Sequence, residues 1–410
     1  MRNHSFATTT RVVASAAAVA ALGLTACDMG VTNPGPTQDE ALNTVSAVPG
    51  LVNGMSGDLS NALGTYLSVN VVMTDEMNEA GNYAAQQQFV RGSITPDMVN
   101  GDWARMQNAR WVAEQGLVRL KTILGADFET NANVPRAYLY GGFANRLLGE
   151  NVCTGVIDGG PAQSDSVYFQ RADSLFTRAY TLATAQKNTS VATAALAGRA
   201  SVRAWLGNWA AAVADAQQVP ATFVFNAVFS TNTTRENLDI ANETQNRREL
   251  TVWGRPWSRL DARTPWDTVK VASGALQTGQ DGKTIFFRQQ KYKTLGSAVP
   301  LAKGTEMLLL RAEAALNNSD VSGAVTLMNQ ARTAAGVTTA LSPAPTTLAA
   351  AWTTLEFERG ATLWLEARRL WDLRRWNAAT GPAHNTFLDS RDKCVPVSLN
   401  EASTNPNLSR

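Results

Sequence analysis

The chain has 410 residues, of which 44% are hydrophobic, so it is long and apolar enough to bury a sizeable core. Only 17% of the residues are charged, with 36 Lys plus Arg against 34 Asp plus Glu, which excludes the strongly basic surface typical of nucleic-acid binding. Two histidines and three cysteines leave few side chains for metal binding or nucleophilic catalysis. We therefore expect a folded protein with no metal, no cofactor, no catalytic residues and no nucleic-acid partner.

The N-terminus has the order of an export signal. Arg2 and Arg11 precede an apolar run from Val12 to Leu24, which suits a signal-peptide core and is too short for a permanent membrane span. We predict that residues 1–26 are a signal peptide that is removed. Without its two arginines, the basic and acidic side chains of the mature protein are equal in number.

The first residue after this segment is a cysteine. The order Leu24-Thr25-Ala26-Cys27 resembles the bacterial lipobox, so we predict that Cys27 is lipidated and anchors the protein, with residues 27–38 as a Pro- and Gly-rich tether. An exported protein in which Cys27 is incidental is the alternative. Asp28 retains lipoproteins in the inner membrane of some bacteria, so the choice of membrane stays open at this point.

Two cysteines, Cys153 and Cys394, remain after Cys27. An even number of cysteines in an oxidising compartment favours one disulfide, which would join the C-terminal tail to the middle of the chain. Two separate buried thiols are the alternative.

The dominant period along the chain is helical. Apolar residues at three-to-four spacing predict helices over the ranges 101–124, 134–148, 165–185, 191–206, 209–218, 304–316, 321–335 and 345–376, the last with a break near its start. We expect the tryptophans on these helices, Trp111 among them, to lie in the core.

Three of the predicted helices share an i, i+4, i+7 pattern of small and bulky residues. The pattern resembles the tetratricopeptide helix pair, in which small side chains let two antiparallel helices approach closely. Any Ala-rich helix can match by chance, but three matches with two turns in register favour real hairpins. The three sets are Ala172, Phe176, Ala179; Ala212, Ala216, Val219; and Ala324, Met328, Ala331.

Residues 220–300 have no helical period and contain Gly and Pro between aromatic residues, as in Trp253-Gly254-Arg255-Pro256-Trp257. We predict a mainly α-helical domain over 39–410 that carries this range as an irregular, loop-rich insertion.

The C-terminal third carries a series of motifs in a characteristic order and spacing. They are Ala312-Glu313-Ala314, Leu355 to Arg359, Glu366 to Trp376, Val395-Pro396-Val397 and Asn405-Pro406, preceded by Asp75-Glu76, Trp103 to Leu120, Arg136 to Gly149 and Lys291-Tyr292. In this order and spacing the chain resembles the SusD/RagB family of nutrient-binding surface lipoproteins. Three features depart from the family pattern: Thr362 stands where the family usually has Glu, Ala367 replaces a Gly, and Val395-Pro396-Val397 only approximates Pro-Ile-Pro.

This resemblance implies a SusD-like fold and a binding protein rather than an enzyme. It implies that the protein lies on the cell surface, anchored in the outer membrane by its lipid. There it would bind a glycan or peptide and deliver it to a SusC-like, TonB-dependent β-barrel transporter.

The candidate ligand contacts are aromatic and polar residues outside the periodic helices. Indole rings stack on sugar faces, while Arg and Asp side chains bind the polar edges of a ligand. We predict Trp253, Trp257, Trp266 and Arg263 in the insertion as ligand contacts, and Asp75, Asn82 and Tyr83 in an early loop that the family resemblance places near the binding face. That the indoles only cover the core of the insertion is equally compatible with the sequence.

Charges on the last long helix alternate in sign, with Glu366 and Arg369, and Asp372 and Arg375, at i, i+3 spacing. We expect them to lock this helix against the insertion rather than to perform chemistry. Two other functions stay open. A tetratricopeptide scaffold that binds a protein partner predicts an apolar groove along the repeats, and a secreted hydrolase predicts paired carboxylates with shifted pKa values in a cleft.

Overall fold

The computed structural model describes residues 39–408, so the predicted signal peptide, Cys27 and the tether lie outside the described residues. Residues 39–43 belong to a separate N-terminal unit, in which Asp39–Leu42 forms one 3-10 turn. All further description concerns residues 44–408. None of the helices in this range is long and apolar enough to span a bilayer.

Helices dominate the architecture, and every helix predicted from the sequence is present. The sequence reasoning missed the long first helix and three short ones. The helices are α1 (Val48–Met73), α2 (Ala84–Arg91), α3 (Asn100–Leu124), α4 (Val134–Asn151), α5 (Ser166–Ala185), α6 (Thr189–Trp205), α7 (Trp209–Ala216), α8 (Asp239–Ala241), α9 (Gly304–Asn317), α10 (Val321–Ala334), α11 (Leu348–Thr362), α12 (Arg369–Ala378) and α13 (Leu399–Thr404).

The tetratricopeptide-like hairpins are confirmed by the packing around Phe176 on α5. A Cβ atom on Gly142 of α4 or on Gly198 of α6 would come within 2.6 and 2.4 Å of the Phe176 ring. Because both glycines lack this atom, the helices approach closely and the ring fills the space beside them. All of the small and bulky residues in the three predicted sets are buried.

The second helices of two hairpins begin in the same way. The side chain of Asn208 accepts a hydrogen bond from the amide of Ala211 at the start of α7, and Asp320 does the same for Gly323 at the start of α10. The preceding turns contain Gly207 and Ser319, both with positive φ. The two hairpins therefore share a turn geometry although most of the chain between them is not repeat.

The insertion contains short two-stranded ladders and no larger sheet, as predicted. Two more short strands, β2 (Thr154–Gly155) and β3 (Gln163–Ser164), pair with each other outside it. All four ladders are antiparallel. Those of the insertion are β1 (Asn78–Glu79) with β5 (Leu250–Thr251), β4 (Val224–Ala227) with β8 (Val299–Lys303), and β6 (Trp266–Thr268) with β7 (Phe287–Gln289). Strand β1 comes from the early loop, so its pairing joins that loop to the insertion.

The predicted single helix over 345–376 is wrong in one respect, because the chain leaves the helix in the middle of this range rather than near its start. Helix α11 ends at Thr362 and α12 begins at Arg369, and between them Leu365 and Ala367 both have φ of 56°. This left-handed conformation favours glycine, which explains why the family resemblance implies Gly at position 367.

Side chains from three other segments bind the backbone groups that this break exposes. The Glu76 carboxylate accepts the Leu365 amide at 2.6 Å, and the Tyr292 hydroxyl donates to the Leu365 carbonyl at 2.9 Å. The ammonium groups of Lys291 and Lys303 donate to the carbonyls of Trp364 and Thr362, each at 2.5 Å. The backbone amide and carbonyl groups at the break thus find their hydrogen-bond partners through tertiary contacts, which a local sequence pattern does not reveal.

The charged residues around the break are buried, not solvent-exposed. Glu366 pairs with Lys291 and Lys303 at 2.6 and 2.7 Å. Arg368 binds Glu306 of α9 at 2.7 Å and Glu150 of α4 at 2.9 Å.

The predicted Glu366–Arg369 pair does not form. Glu366 lies before the start of α12, and Arg369 instead forms two hydrogen bonds of 2.8 Å with Asp75. The pair between Asp372 and Arg375 does form, at 2.8 Å. The expectation that these charges lock the helix against the insertion is met by Glu366, which binds Lys291. Arg369 binds the early loop instead, and Asp372 and Arg375 bind Arg359 of α11 and Glu313 of α9.

The predicted disulfide between Cys153 and Cys394 is present, with an S–S distance of 2.05 Å. Beside it, the Cys153 amide donates to the Val395 carbonyl at 2.9 Å, and the Val395 amide donates to the Asn151 carbonyl at 2.8 Å. The bond therefore fastens the C-terminal tail to the end of α4.

Burial of Glu76 generates a testable pH dependence. Burial raises the pKa of this carboxyl from 4.5 to about 8. At pH values between 4.5 and about 8, the Glu76 side chain is protonated in the folded chain and ionised in the unfolded chain. The contribution of Glu76 to the unfolding free energy therefore falls as the pH rises through this range.

Glu76→Gln resembles the protonated side chain and keeps the acceptor for the Leu365 amide. We expect the variant to gain roughly 2–4 kcal/mol relative to wild type between pH 5 and pH 8, measured by urea unfolding at each pH. A difference between the two proteins that is independent of pH contradicts this assignment.

Candidate functional site

The insertion and the early loop enclose a polar cleft of about 310 Å³. Its lining includes both signs of charge together with amide and hydroxyl groups. The lining residues are Glu79, Gly81, Asn82, Gln87, Val90, Arg91, Asp281, Lys283 and Thr284. Of the predicted ligand contacts, Asn82 lies in this cleft.

One wall of the cleft depends on a close approach between Gly81 and Glu249. A Cβ atom on Gly81 would lie 1.5 Å from a carboxylate oxygen of Glu249, so a larger residue here would displace the Glu249 side chain. The same oxygen accepts the amide of Asn82 at 3.1 Å. These contacts fix the backbone from which the exposed Asn82 side chain projects.

The cleft is also lined by a turn organised by Asp281, whose amide donates to the Ala80 carbonyl of the early loop at 3.0 Å. The Asp281 carboxylate accepts the amides of Lys283 and Thr284 at 3.0 and 2.9 Å and the Thr284 hydroxyl at 2.6 Å. Burial raises the pKa of Asp281, but these hydrogen bonds outweigh burial, so the pKa lies below its ordinary value. In the same cleft, partial burial raises the pKa of Glu79.

Beside this cleft the insertion carries an aromatic cluster formed by Trp253, Trp266 and Phe287. Trp266 stacks on Phe287 with ring centres 4.3 Å apart and planes at 4°, and Trp253 meets the same ring edge-on at 4.8 Å. Trp253 is 39% exposed and Trp266 is half-buried, whereas Phe287 is buried. The structure thus brings two predicted tryptophans together on a platform that sequence reasoning missed.

A hydrogen bond from a side chain of β1 connects the aromatic cluster to the cleft. The Asn78 side chain donates to the Trp253 carbonyl at 2.7 Å, and Asn78 belongs to β1, which also contains the cleft residue Glu79. Tyr83, at the start of α2, is 38% exposed, and the guanidinium of Arg247 lies 5.2 Å from its ring centre. Asn82, Tyr83, Trp253 and Trp266 therefore share one region of the molecule.

Three predicted ligand contacts need correction because their side chains are buried in structural interactions. Trp257 is 1% exposed and stacks on Phe357 of α11 at 5.6 Å. Arg263 pairs with Asp261 and Glu358 at 2.8 and 2.5 Å.

The third correction concerns Asp75, whose carboxylate is held by Arg369. The opposite correction applies to Trp111, which was expected in the core and is 50% exposed on α3.

Within residues 39–408, no cluster of three or more His, Cys, Asp or Glu side chains has the arrangement of a metal site. Sequence reasoning also missed Arg91 and Lys283, the two cations that line the cleft. Neither residue belongs to a motif, so nothing in the sequence marked them.

The fold defines a mainly helical protein with tetratricopeptide-like hairpins and a loop-rich insertion. The sequence model of the SusD family matches residues 288–408. No curated protein matches the chain.

Many solved structures share the fold, including the following three. A putative sugar binding protein from Bacteroides vulgatus has 15% identity and a TM-score of 0.65, over 90% of this chain and 98% of its own. A SusD-like carbohydrate binding protein from the same organism has 15% identity and a TM-score of 0.62, over 89% and 97%. A laminarin binding SusD-like protein has 12% identity and a TM-score of 0.58, over 87% and 98%.

The family match in the C-terminal part and the shared fold confirm the resemblance predicted from the sequence. Residues 288–408 are thus similar to the SusD family in sequence, and the chain as a whole shares the fold of SusD-like proteins.

The structural assignment of Arg263 predicts a large loss of stability on its removal. Arg263→Ala leaves buried carboxylates without one of their partners, and we expect the unfolding free energy to fall by roughly 3 kcal/mol. The matched control is Arg288→Ala, which removes an exposed pair with Asp267 and costs about 1 kcal/mol or less. If Arg263→Ala and Arg288→Ala lose the same unfolding free energy in denaturant, Arg263 does not hold the insertion in place.

Proposed function

We propose that this protein binds a glycan on the surface formed by Trp253, Trp266, Tyr83 and Asn82. The observation that carries the proposal is the pair of accessible indoles held on Phe287 beside a polar cleft. Stacking on aromatic rings and hydrogen bonding to polar edges are the two interactions that a sugar ring offers.

The relatives support a sugar rather than a peptide as ligand. Two of the structures that share this fold are described as carbohydrate or sugar binding, and a third as laminarin binding. The fold alone does not determine a ligand, so the proposal rests on these names together with the aromatic cluster.

We also propose that the protein binds its ligand without transforming it. Glu79 and Asp281 line one cleft and their pKa values shift in opposite directions, which is the pattern of a hydrolase pair. Asp281, however, uses both of its oxygens to hold its own turn. A carboxylate bound in this way is a structural acceptor and is not available to attack or protonate a ligand.

The family resemblance and the N-terminal sequence support a proposal for the place of the protein in the cell. We propose that Cys27 carries the lipid anchor in the outer membrane and that the protein faces the cell exterior. There it delivers its glycan to a SusC-like, TonB-dependent β-barrel.

Fatty-acid labelling of wild type and Cys27→Ser tests the lipid anchor. Isolation of the protein from the membrane without any β-barrel would contradict the proposed transporter partner.

The binding surface is tested by tryptophan substitutions. We expect Trp253→Ala and Trp266→Ala each to weaken glycan binding roughly three- to tenfold, because each removes an aromatic contact. Affinities are measured by calorimetry with a glycan selected from a neutral and acidic panel.

The control is Trp111→Ala, which removes an exposed indole from α3, outside the insertion. It leaves the affinity unchanged if the proposed surface is correct. A protein-binding scaffold that uses its repeats predicts the reverse: the insertion variants behave as wild type and Trp111→Ala loses a protein partner.

A further inference from the structure

A second cleft, of about 690 Å³, lies between the insertion and the helices α10 and α11. Its lining combines arginines, hydroxyl groups and a few apolar side chains. The lining residues are Arg259, Leu260, Asp261, Arg332, Thr339, Ala340, Leu341, Ser342, Thr353, Thr354, Phe357 and Glu358. None of the predicted ligand contacts lines it.

Arg259 differs from the other arginines in its surroundings. Its guanidinium carbon lies 3.4 Å from the centre of the Phe357 ring, so the planar group is stacked. Within residues 39–408 its side chain forms no hydrogen bond and no ion pair. The exposed guanidinium therefore keeps its donors for a ligand, while the stack restricts where they point.

The two carboxylates at this cleft are already neutralised. Asp261 pairs with Arg263 at 2.8 Å, and Glu358 pairs with Arg263 and with Arg332 at 2.5 and 2.7 Å. Arg332 also donates to the Thr339 carbonyl at 3.0 Å. Arg259 is consequently the cation of this cleft that has no carboxylate partner of its own.

The remaining polar groups suit sugar hydroxyls. Thr353 and Thr354 donate their hydroxyl protons to the carbonyls of Ala349 and Ala350 in α11, so their oxygens remain as acceptors. Leu260 is 94% exposed and offers an apolar surface next to Arg259.

The cleft is also linked to the aromatic cluster. The indole nitrogen of Trp266 donates to the carbonyl of Arg259 at 3.4 Å. The residue that carries the unpaired guanidinium is thus in direct contact with the cluster through its backbone.

We propose that this second cleft binds the carboxylate of an acidic sugar unit, with Arg259 as its bidentate partner; this inference rests on the proposed glycan-binding function. The guanidinium fork matches the two oxygens of a carboxylate, and the hydroxyl oxygens accept from the ring hydroxyls. The protein then selects glycans that contain uronic acids over neutral ones of the same shape.

The test compares each acidic glycan with a neutral twin. Oligosaccharides of polygalacturonate and alginate are used beside the same chains with their carboxyl groups reduced to alcohols. For wild type we expect binding of at least one acidic chain about tenfold tighter than binding of its twin, as for one charge-assisted pair. Arg259→Met keeps the apolar stem of the side chain and abolishes this preference.

The control is Arg178→Met, which removes the same charge from an exposed pair on α5. If Arg259 binds the carboxylate directly, Arg178→Met still prefers the acidic chain over its neutral twin. Loss of this preference in Arg178→Met would show that only the net charge matters and would overturn the proposal. Equal binding of acidic and neutral chains, or binding of neutral glycans alone, overturns the inference and leaves the proposed function intact. Failure of wild type to bind any glycan overturns both.

Discussion

The structure depends on a set of buried polar side chains at the point where the last long helix is interrupted. Leaving the helix between Thr362 and Arg369 exposes backbone groups in the interior, where each unpaired group is costly. Glu76, Lys291, Tyr292 and Lys303 bind those groups. Because these residues come from the early loop and from the end of the insertion, satisfying the break also joins three distant parts of the chain.

This arrangement explains how an insertion with little secondary structure is held against the helices. Its ladders are only two strands wide and are too small to be stable alone. Stability comes instead from contacts with the helices, such as Trp257 on Phe357 and Arg263 with Glu358. These buried contacts position the neighbouring segments that carry Trp253 and Trp266. The candidate ligand contacts of the sequence therefore divide into buried residues that hold the insertion against the helices and residues that are accessible at its surface.

The sequence predicts the helical hairpins well because their spacing of small and bulky residues is local. Helix α1 was missed because Gly50, Gly54, Gly57 and Gly64 weaken its helical pattern. Its conformation is fixed by burial: Tyr66 donates to Asn151 of α4 at 3.1 Å, and Gly64 makes room for Phe229. Such contacts span large sequence separations and leave no local signal.

The same limit applies to the candidate site. Trp257 and Trp266 have similar sequence surroundings, yet one is buried against α11 and the other lies on Phe287 near the surface. Composition identifies the insertion and its tryptophans as candidates. Only the tertiary contacts of Phe357 and Phe287 distinguish a core indole from an accessible one.

The central claim is that a glycan is recognised by the insertion and the early loop, while the helical repeats serve as its support. Hydrogen–deuterium exchange of the full chain with and without a bound glycan tests it most directly. The account predicts slower exchange at residues 78–91, 251–268 and 281–289, with unchanged exchange in α5 to α7. Protection confined to the repeat helices would contradict it.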